Sequence, residues 1–393
     1  MKKIIVINDF DYIQGGASNV ALEMASILFD SGLDVTFFSG VTNGESAKFK
    51  KISLNDKDVA NGQSVFRNIK NKKAYKVLLN MISKEHEYDI FVHGWTKCLS
   101  SEIFKIGKLS NVRLFVTWHD YFSVCPNGGL FNYKKCKICD KKPMGFKCAF
   151  TNCDSRNYLV KLLRVTRTFY QNKIVNIKKY LTGIIYISEF NQSILSKYFS
   201  GIPAFRINNP VRNLCTGTSI RPELNNEYLY IGRLDQEKGV QIACEAALVS
   251  GIKLNVIGDG QMLEKLKIKY KGYHNISFIG WLDRNDMIQY IKKTRCLIFP
   301  SLWYEGAGLT TIEVMAFGIP CIVSSNTAAI DYVSNNNGFI FEQGSVSDLV
   351  KAIKESKNGD KIKNMSKECI KIYENFTIEK YKKKIMTIIN SNN

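Results

Sequence analysis

The chain has 393 residues, of which 45% are hydrophobic and 23% are charged, and this composition is typical of folded globular proteins rather than disordered ones. The length exceeds what one hydrophobic core usually organises and predicts two domains; we also expect no signal peptide and no transmembrane helix, since no apolar run reaches about 18 residues. The formal net charge of +20 favours an anionic partner, such as a nucleic acid, a phosphate-rich substrate or an acidic membrane surface.

Short apolar runs, rich in β-branched and aromatic residues, alternate with longer helical patterns along the whole chain. In the first half the runs lie at residues 3–8, 34–40, 88–94, 113–120 and 183–188. In the second half they lie at residues 228–232, 253–258, 275–280, 296–301 and 320–325. This alternation indicates βαβ units and parallel sheets, and two such series predict two doubly wound domains. Each domain should bind ligands beyond the carboxyl ends of its strands.

Turn residues cluster around Pro210, in the stretch 208–213, and predict the boundary between the two domains. The predicted N-terminal domain covers residues 1–208 and includes a cysteine-rich insertion at residues 121–156. The predicted second domain covers residues 209–374. A C-terminal helix at residues 375–393 is expected to pack back on the first domain.

Two features follow the first predicted strand. Gly15 and Gly16 precede an amphipathic helical pattern, so backbone N–H groups can face a phosphate at the helix start; a tight turn that needs glycine for its own geometry is the alternative. Asp9 and Asp11 have the Asp-x-Asp spacing of metal-binding motifs in some nucleotide-sugar enzymes. Because they follow the first strand of the first domain, we interpret them instead as part of a solvated loop.

Two basic residues lie in a predicted strand-to-helix turn of the second domain. Arg233 and Lys238, in "RLDQEKGV", could clamp a diphosphate, arginine as a two-pronged donor and lysine as a point charge; an ordinary surface pair is the alternative. Gly258 and Gly260 follow the next predicted strand but lack the third glycine of a dinucleotide-binding fingerprint. A site for NAD is therefore disfavoured.

Two glutamates lie near the glycine-rich turn of "SLWYEGAGLTTIEVMAFGIP" (residues 301–320). A predicted strand precedes the turn, so residues 302–308 should form a loop at its carboxyl end, with a helix beginning near Gly308. The amides of residues 308–311 supply partial positive charge at that helix start. Carboxylates suit the hydroxyl groups of ribose or another sugar. We therefore predict that the helix start holds phosphates while Glu305 and Glu313 bind the sugars.

These motifs together resemble the retaining glycosyltransferases of family 4. The resemblance rests on the two glutamates of "EGAGLTTIE", the "GRLDQEKG" turn, "VIGDG" and the N-terminal "GGASNVALEMA". The motifs occur in the family's order and cover essentially the whole chain. The resemblance implies an α/β protein with the GT-B fold, in which two Rossmann-like doubly wound domains face each other across a cleft and helices follow at the C-terminus.

The resemblance also implies roles for individual residues. Arg233 and Lys238 would neutralise the nucleotide diphosphate, Glu313 would hold the ribose and Glu305 the transferred sugar. His119, in "TWHD" at the end of a first-domain strand, matches the family's active-site histidine near the donor sugar. The full predicted donor-binding set is Gly15, Gly16, Gly258, Gly260, Gly306, Ala307, Gly308, Leu309, Thr310 and Glu313. Ala307 departs from the family pattern, which has a bulky residue there, and this weakens any inference about the sugar.

By the same resemblance we expect a retaining glycosyltransferase that needs no essential metal or other cofactor and uses a UDP- or GDP-sugar as co-substrate. The expected acceptor is a lipid-linked oligosaccharide in bacterial surface polysaccharide synthesis, of O-antigen or capsule. Two alternatives stay open. One is an enzyme of the same fold that modifies a nucleotide sugar without transfer, such as an epimerase. The other is a basic nucleic-acid-binding protein, although no nucleic-acid-binding module occurs in the sequence.

Residues 157–181 carry basic side chains and no acid among leucines, valines and aromatics. The basic residues are Lys161, Arg164, Arg167, Lys173, Lys178 and Lys179. This pattern predicts a basic amphipathic helix on an anionic membrane surface; a packed helix with a solvated basic face is the alternative. We therefore expect a cytoplasmic protein that is peripheral at the inner face of the cell membrane.

The eleven cysteines, in a chain with no recognised export signal, are expected to be reduced thiols. Five of them cluster at Cys125, Cys136, Cys139, Cys148 and Cys153. One interpretation is a structural zinc site formed by Cys136, Cys139, Cys148 and Cys153. With a single C-x-x-C and irregular partners, reduced loop thiols are the other.

Overall fold

The computed structural model describes residues 2–55, 65–211 and 220–391. Its strands, in chain order, are β1 Lys3–Phe10, β2 Asp34–Val41, β3 Lys50–Ser53, β4 Tyr88–Val92, β5 Val112–Trp118, β6 Phe131–Asn132, β7 Lys137–Ile138, β8 Gly183–Tyr186, β9 Ala204–Arg206, β10 Glu227–Ile231, β11 Lys253–Ile257, β12 Ile276–Gly280, β13 Thr294–Phe299, β14 Cys321–Ser324 and β15 Gly338–Phe341.

The α-helices, in chain order, are α1 Gly16–Phe29, α2 Val65–Ile69, α3 Lys72–Asn80, α4 Phe146–Ala149, α5 Tyr158–Phe169, α6 Glu189–Leu195, α7 Val240–Ser250, α8 Leu263–Lys269, α9 Arg284–Ile291, α10 Leu309–Met315, α11 Val346–Glu355, α12 Gly359–Tyr373 and α13 Ile378–Asn390. Among the helices in the described ranges, none is long and apolar enough to cross a membrane.

Contacts divide the chain into two compact units. Unit 1 comprises Met1–Leu130, Asp140–Pro210 and Tyr381–Asn393, and unit 2 comprises Phe131–Cys139 and Val211–Lys380. The division falls within the predicted joint at 208–213, of which residues 212 and 213 lie outside the described residues.

Each unit is built on a parallel sheet. The sheet of unit 1 has the strand order β3-β2-β1-β4-β5-β8-β9, and that of unit 2 has the order β12-β11-β10-β13-β14-β15. The order reverses between β1 and β4 in the first sheet and between β10 and β13 in the second. Loops leaving adjacent strands diverge at such a reversal and open a crevice at the carboxyl edge of the sheet. The predicted α/β class with two parallel sheets is confirmed.

Both faces of the unit 2 sheet are buried. On β10, Tyr228 and Tyr230 pack into one hydrophobic cluster, whereas Leu229 between them packs into the cluster on the opposite face. A parallel strand that helices cover on both sides has no solvated face. Its sequence is therefore a continuous run of apolar residues. This is why the ten predicted strands were recognisable, and each corresponds to a strand of the structure. Strands β3, β9 and β15 and the short antiparallel pair β6–β7 were not predicted.

The basic side chains of helix α5 point inward. Lys161 is fully buried, and its ammonium contacts the sulfur atoms of Cys153 at 3.2 Å and Cys148 at 3.6 Å. Arg164 forms an ion pair with buried Asp154 at 2.8 Å. Arg167 donates hydrogen bonds to backbone carbonyls of neighbouring loops. The prediction that these residues form a basic outer face is therefore wrong, because each one has a polar partner in the surrounding loops.

The outer face of helix α5 is apolar instead. Leu159 is 72% exposed and Phe169 is 50% exposed, and Leu162 and Leu163 are also exposed. A turn of π-helix and a short 3₁₀-helix, Tyr170–Val175 and Ile177–Tyr180, continue the segment, with exposed lysines at Lys173, Lys178 and Lys179. Helix α5 itself is thus amphipathic with its apolar side toward solvent, and the exposed lysines lie after it.

Candidate active site

The loops at the strand reversal of unit 2 carry the residues that the sequence analysis predicts to bind phosphate and sugar groups. The loop after β10 contains Arg233 and Lys238, and the loop after β13 contains Glu305. These two strands pair side by side, and the amide of Leu302 donates a 2.8 Å hydrogen bond to the carbonyl of Glu237, which joins the loops directly. The strand reversal thus brings together side chains that are about seventy residues apart in the sequence.

Lys238 and Glu305 form the central ion pair of this crevice. The Lys238 ammonium is 2.5 Å from Glu305 Oε2, and each side chain is only 16% exposed. The same carboxylate oxygen accepts a 2.9 Å hydrogen bond from the indole of Trp303, whose ring lies 5.0 Å from the ammonium. Burial alone would raise the pKa of Glu305, but Lys238 and Trp303 outweigh it and lower the pKa below its usual value. Glu305 is therefore an ionised acceptor at neutral pH.

Arg233 lies at the more exposed end of the same loop. Its guanidinium pairs with Asp235 and, at 3.3 Å, with Glu237, while 59% of the side chain stays accessible to solvent. The hydroxyl of Tyr230 donates a 2.9 Å hydrogen bond to the Arg233 carbonyl and fixes the backbone. Because the guanidinium is exposed, it can exchange either carboxylate partner for an oxygen atom of an incoming anion.

Gly258 and Gly260 pack closely against the backbone of the loop that contains Arg233. A Cβ at Gly258 would lie 1.9 Å from the carbonyl oxygen of Gly232, and one at Gly260 would lie 2.7 Å from the backbone of Leu234. Both have positive φ angles, of 136° and 157°. The structure gives these two glycines a packing role, and their predicted contact with a ligand stays a prediction.

The helix start predicted to hold phosphate is the first turn of α10. The loop runs through Gly306 and Ala307 to Gly308, which adopts a left-handed conformation with φ of 64°, and the helix continues through Leu309 and Thr310. The Thr311 amide donates to the Gly308 carbonyl at 3.0 Å. Of the amides 308–311, that of residue 311 is thus already engaged. The role of the others stays a prediction.

Glu313 lies on the second turn of α10. Its carboxylate is 3.4 Å from the guanidinium of Arg284, the first residue of α9, and burial raises the pKa of Glu313 while Arg284 opposes that rise. The carboxylate is 24% exposed and so remains available to a polar ligand.

The hydroxyl of Tyr332 contacts the turn before α10. The sequence analysis did not identify this residue. Its hydroxyl lies within hydrogen-bonding distance of the carbonyls of Ala307 (3.2 Å) and Gly308 (3.1 Å) and of Thr311 Oγ1 (2.6 Å). Its ring packs edge-on against Phe376 at 5.2 Å between centroids. Tyr332 follows a separate 3₁₀ segment, so no local sequence pattern predicts its contact with this turn.

We expect Tyr332→Phe to lower the free energy of unfolding by roughly 0.5–1.5 kcal/mol, the net contribution of a typical hydrogen bond, because the Gly308 carbonyl and the Thr311 hydroxyl still bond to each other. Denaturant unfolding measures the change. Tyr273→Phe, at a tyrosine that is 50% exposed, is the control and should change stability little. Equal effects of the two variants would contradict this role for the Tyr332 hydroxyl.

Unit 1 carries the remaining predicted residues. Gly15 and Gly16 are exposed at the start of α1. A Cβ added at either glycine would meet no atom within 4 Å, so close packing does not require glycine at these two positions. His119 directly follows β5, and its Nε2 is 2.8 Å from Nδ1 of His93, which directly follows β4. The sequence analysis missed His93, although it ends a predicted strand just as His119 does.

Asp9 and Asp11 are buried, so their interpretation as a solvated loop is wrong. Asp9 accepts hydrogen bonds from the amides of Lys97, Cys98 and Leu99 at 2.7–3.1 Å. Asp11 is only 2% exposed and pairs with Lys51 at 3.8 Å. Asp9 is a structural cap for a neighbouring turn.

The zinc interpretation of the cysteines is not supported. Across residues 2–55, 65–211 and 220–391, no group of three or more His, Cys, Asp or Glu side chains could hold a metal ion. Cys148 and Cys153 in unit 1 contact the Lys161 ammonium, and a second cation between them would be repelled. Cys136 and Cys139 belong to the β6–β7 segment of unit 2.

Comparisons with known proteins indicate the kind of enzyme that this chain resembles. Residues 218–375 match the family model described as "Glycosyl transferases group 1". A 171-residue stretch is 30% identical to the UDP-Gal:alpha-D-GlcNAc-diphosphoundecaprenol alpha-1,3-galactosyltransferase of Escherichia coli, covering 40% of this chain and 43% of that protein. Another stretch, of 145 residues, is 25% identical to O-antigen chain mannosyltransferase C of Escherichia coli, covering 36% of this chain and 39% of the relative. The matched region thus spans less than half the length of either relative.

The whole chain is similar in structure to HepE from Anabaena, solved in complex with UDP. The TM-score is 0.67 and the identity 15%, over 99% of this chain and 100% of that one. At this identity the likeness shows the fold alone. The solved neighbours are GT-B glycosyltransferases, so the GT-B prediction is confirmed.

Proposed function

We propose that this chain transfers a sugar from a nucleotide diphosphate sugar to a glycan acceptor, because residues 218–375 match the family model of the glycosyl transferases group 1. The observation that carries the proposal is the partly buried Lys238–Glu305 pair at the strand reversal of unit 2, with Arg233 accessible beside it. The pair combines a cation suited to a diphosphate with an ionised acceptor suited to sugar hydroxyls.

In the proposed reaction, Lys238 and Arg233 stabilise the negative charge that develops on the departing diphosphate. An ammonium has three N–H donors, so Lys238 can keep its bond to Glu305 and still donate to a phosphate oxygen. Glu305 accepts hydrogen bonds from the transferred sugar, and Glu313 accepts them from the ribose. We propose retention of the anomeric configuration without an essential metal, with a leaving-group oxygen taking the proton of the acceptor.

The donor is the first property to test. A thermal-shift panel of UDP- and GDP-sugars should identify it, because a ligand at 100 times its dissociation constant stabilises the folded protein by about 2.7 kcal/mol. Transfer to an acceptor should then follow for the stabilising donor, and a chelator should leave it intact. If no nucleotide sugar stabilises the protein, the proposal fails. Conversion of the donor without any acceptor would instead indicate an epimerase-like enzyme.

We propose a lipid-linked oligosaccharide as the acceptor, in O-antigen or capsule synthesis. Support comes from the names of the two relatives, one of which acts on a diphosphoundecaprenol-linked sugar and the other on an O-antigen chain. Such acceptors reside in the membrane, so we place the protein in the cytoplasm, peripheral at the inner face of the cell membrane. The net charge of +20 is consistent with attraction to anionic lipids.

The exposed apolar face of α5 is the element we propose for membrane contact. Replacing Leu159 and Phe169 with serine should weaken binding to anionic vesicles at least roughly tenfold, because burying each such side chain contributes about 1.5–3 kcal/mol. Co-sedimentation measures this. Leu224→Ser with Ile268→Ser, at two residues of unit 2 that are 68% and 77% exposed, is the matched control. If the α5 variant sediments like the parent, α5 does not contact the membrane.

A further inference from the structure

The loop that carries Trp303 in unit 2 is fixed on both sides of this residue. Before it, the amide of Leu302 donates a 2.8 Å hydrogen bond to the carbonyl of Glu237, in the loop after β10. After it, the carbonyl of Glu305 accepts a 2.9 Å hydrogen bond from the amide of Ala328, in the segment after β14. The backbone therefore holds Trp303 in place between two neighbouring segments of the same unit.

The side chain of Trp303 contacts both members of the Lys238–Glu305 pair. Its indole Nε1–H donates a 2.9 Å hydrogen bond to Glu305 Oε2, and its ring centroid lies 5.0 Å from the Lys238 ammonium. An indole nitrogen can only donate, so the direction of this hydrogen bond is fixed. A cation near the face of an aromatic ring is attracted by the ring. One side chain thus stabilises the anion and the cation of the pair together.

The two oxygen atoms of the Glu305 carboxylate have different surroundings. Oε2 lies 2.5 Å from the Lys238 ammonium, 2.9 Å from the Trp303 indole and 3.4 Å from the Ser301 hydroxyl. Within residues 220–391, all the hydrogen bonds of this carboxylate are made to Oε2. Rotation of the carboxylate would break them, so its orientation is restrained. Oε1 is the oxygen that can accept a hydrogen bond from a ligand.

We propose that Trp303 is a positioning residue that holds Glu305 through Oε2 and faces the Lys238 ammonium, so that Glu305 presents Oε1 to a hydroxyl group of the transferred sugar. The proposal rests on the proposed function, which brings a sugar to Glu305. An ionised carboxylate can only accept hydrogen bonds, so Oε1 selects a group that carries an O–H or N–H. Trp303 acts through Glu305 and does not itself contact the sugar.

Nitrogen–proton correlation spectra of the four tryptophan indoles test the contact without any ligand. Single replacements by phenylalanine assign the signals. We expect the Trp303 Nε1–H proton to be shifted downfield in the parent, because it faces an ionised carboxylate. It should move upfield in Glu305→Gln, whose neutral amide is a weaker acceptor. The control is the signal of Trp95, which donates to Gln171 Oε1 at 2.9 Å in unit 1 and should not move in this variant.

Kinetics of Trp303→Phe test the effect on transfer, since this change removes the N–H donor and keeps an aromatic ring beside Lys238. We expect kcat to fall roughly tenfold, as a hydrogen bond to a charged group is lost, while the affinity for the free nucleotide diphosphate stays unchanged. Burial raises the pKa of Glu305, whereas Lys238 and Trp303 lower it. Without Trp303 this pKa should rise, so the acid limb of the pH profile of kcat should move to higher pH.

Trp95→Phe is the matched control, because it removes an indole hydrogen bond of the same length in unit 1. A loss of stability alone does not change the pKa of Glu305, so the acid limb should stay where it is in this variant. Parental kcat with an unmoved acid limb in Trp303→Phe would overturn the positioning role. So would an unmoved Trp303 signal in Glu305→Gln, a variant that leaves Trp303 intact. If the parent transfers no sugar, the proposed function itself fails, whatever the spectra show.

Discussion

Lys238→Ala should lower kcat by on the order of 100-fold or more. Its ammonium is a partly buried cation at the strand reversal of unit 2. Charge on the leaving diphosphate grows as the transition state forms, so the interaction is strongest there. The variant also leaves Glu305 without its main partner. Burial then raises the pKa of Glu305 with only Trp303 and the more distant Arg233 opposing it, which removes an ionised acceptor from the site.

Steady-state kinetics with the identified donor measure this loss. Arg233→Ala should lower kcat in the same direction, because the exposed guanidinium acts on the same developing charge. Lys267→Ala is the control, since Lys267 makes only a surface pair with Glu264 on helix α8. Retention of more than about a tenth of kcat in Lys238→Ala would remove this residue from the proposed mechanism.

Asp89→Ala should destabilise unit 1 by about 3–5 kcal/mol, because it leaves a largely buried guanidinium unpaired. Asp89 is fully buried and binds Arg113 through both carboxylate oxygens, at 2.7 Å and 2.5 Å. Arg113 also donates to the carbonyls of Ile388 and Ile389 at the end of α13, at 3.2 Å and 3.0 Å. The pair therefore links β4 and β5 to the last helix.

Hydrogen exchange of the β4 and β5 amides reports on this unit by itself. Asp34→Ala, which removes an exposed pair with Lys3, is the control and should cost no more than about 1 kcal/mol. The double variant Asp89→Leu with Arg113→Met should cost less than Asp89→Ala, because neither charge is then left alone. A loss in Asp89→Ala no larger than in the control would contradict this account.

Local sequence patterns identified the elements that build the candidate site. The apolar run at 296–301 predicts the strand observed as β13, and the helix predicted to begin near Gly308 begins at Leu309. Strand and helix signals are short-range, because they depend on side-chain periodicity and on turn residues within a few positions. Since ligands bind at the carboxyl ends of parallel strands, the order of elements also indicated which loops to search.

The orientation of side chains required the tertiary structure. The pattern of α5 is amphipathic, but whether its basic or its apolar side faces inward depends on Cys148, Cys153 and Asp154, which lie outside this helix. In the same way, the burial of Asp9 depends on amides that are almost ninety residues away.

The amino-acid sequence predicts the α/β class, the ten main strands and the places of Arg233, Lys238, Glu305 and Glu313 on strand-end loops and a helix. The pairing of Lys238 with Glu305, the contact of Tyr332 with the helix turn and the contact of His93 with His119 became visible only in the folded chain. The difference lies in how far apart in the sequence the interacting residues are. Periodicity is a property of neighbouring residues, whereas ion pairs and hydrogen bonds between loops form only after the sheet has brought distant strand ends together.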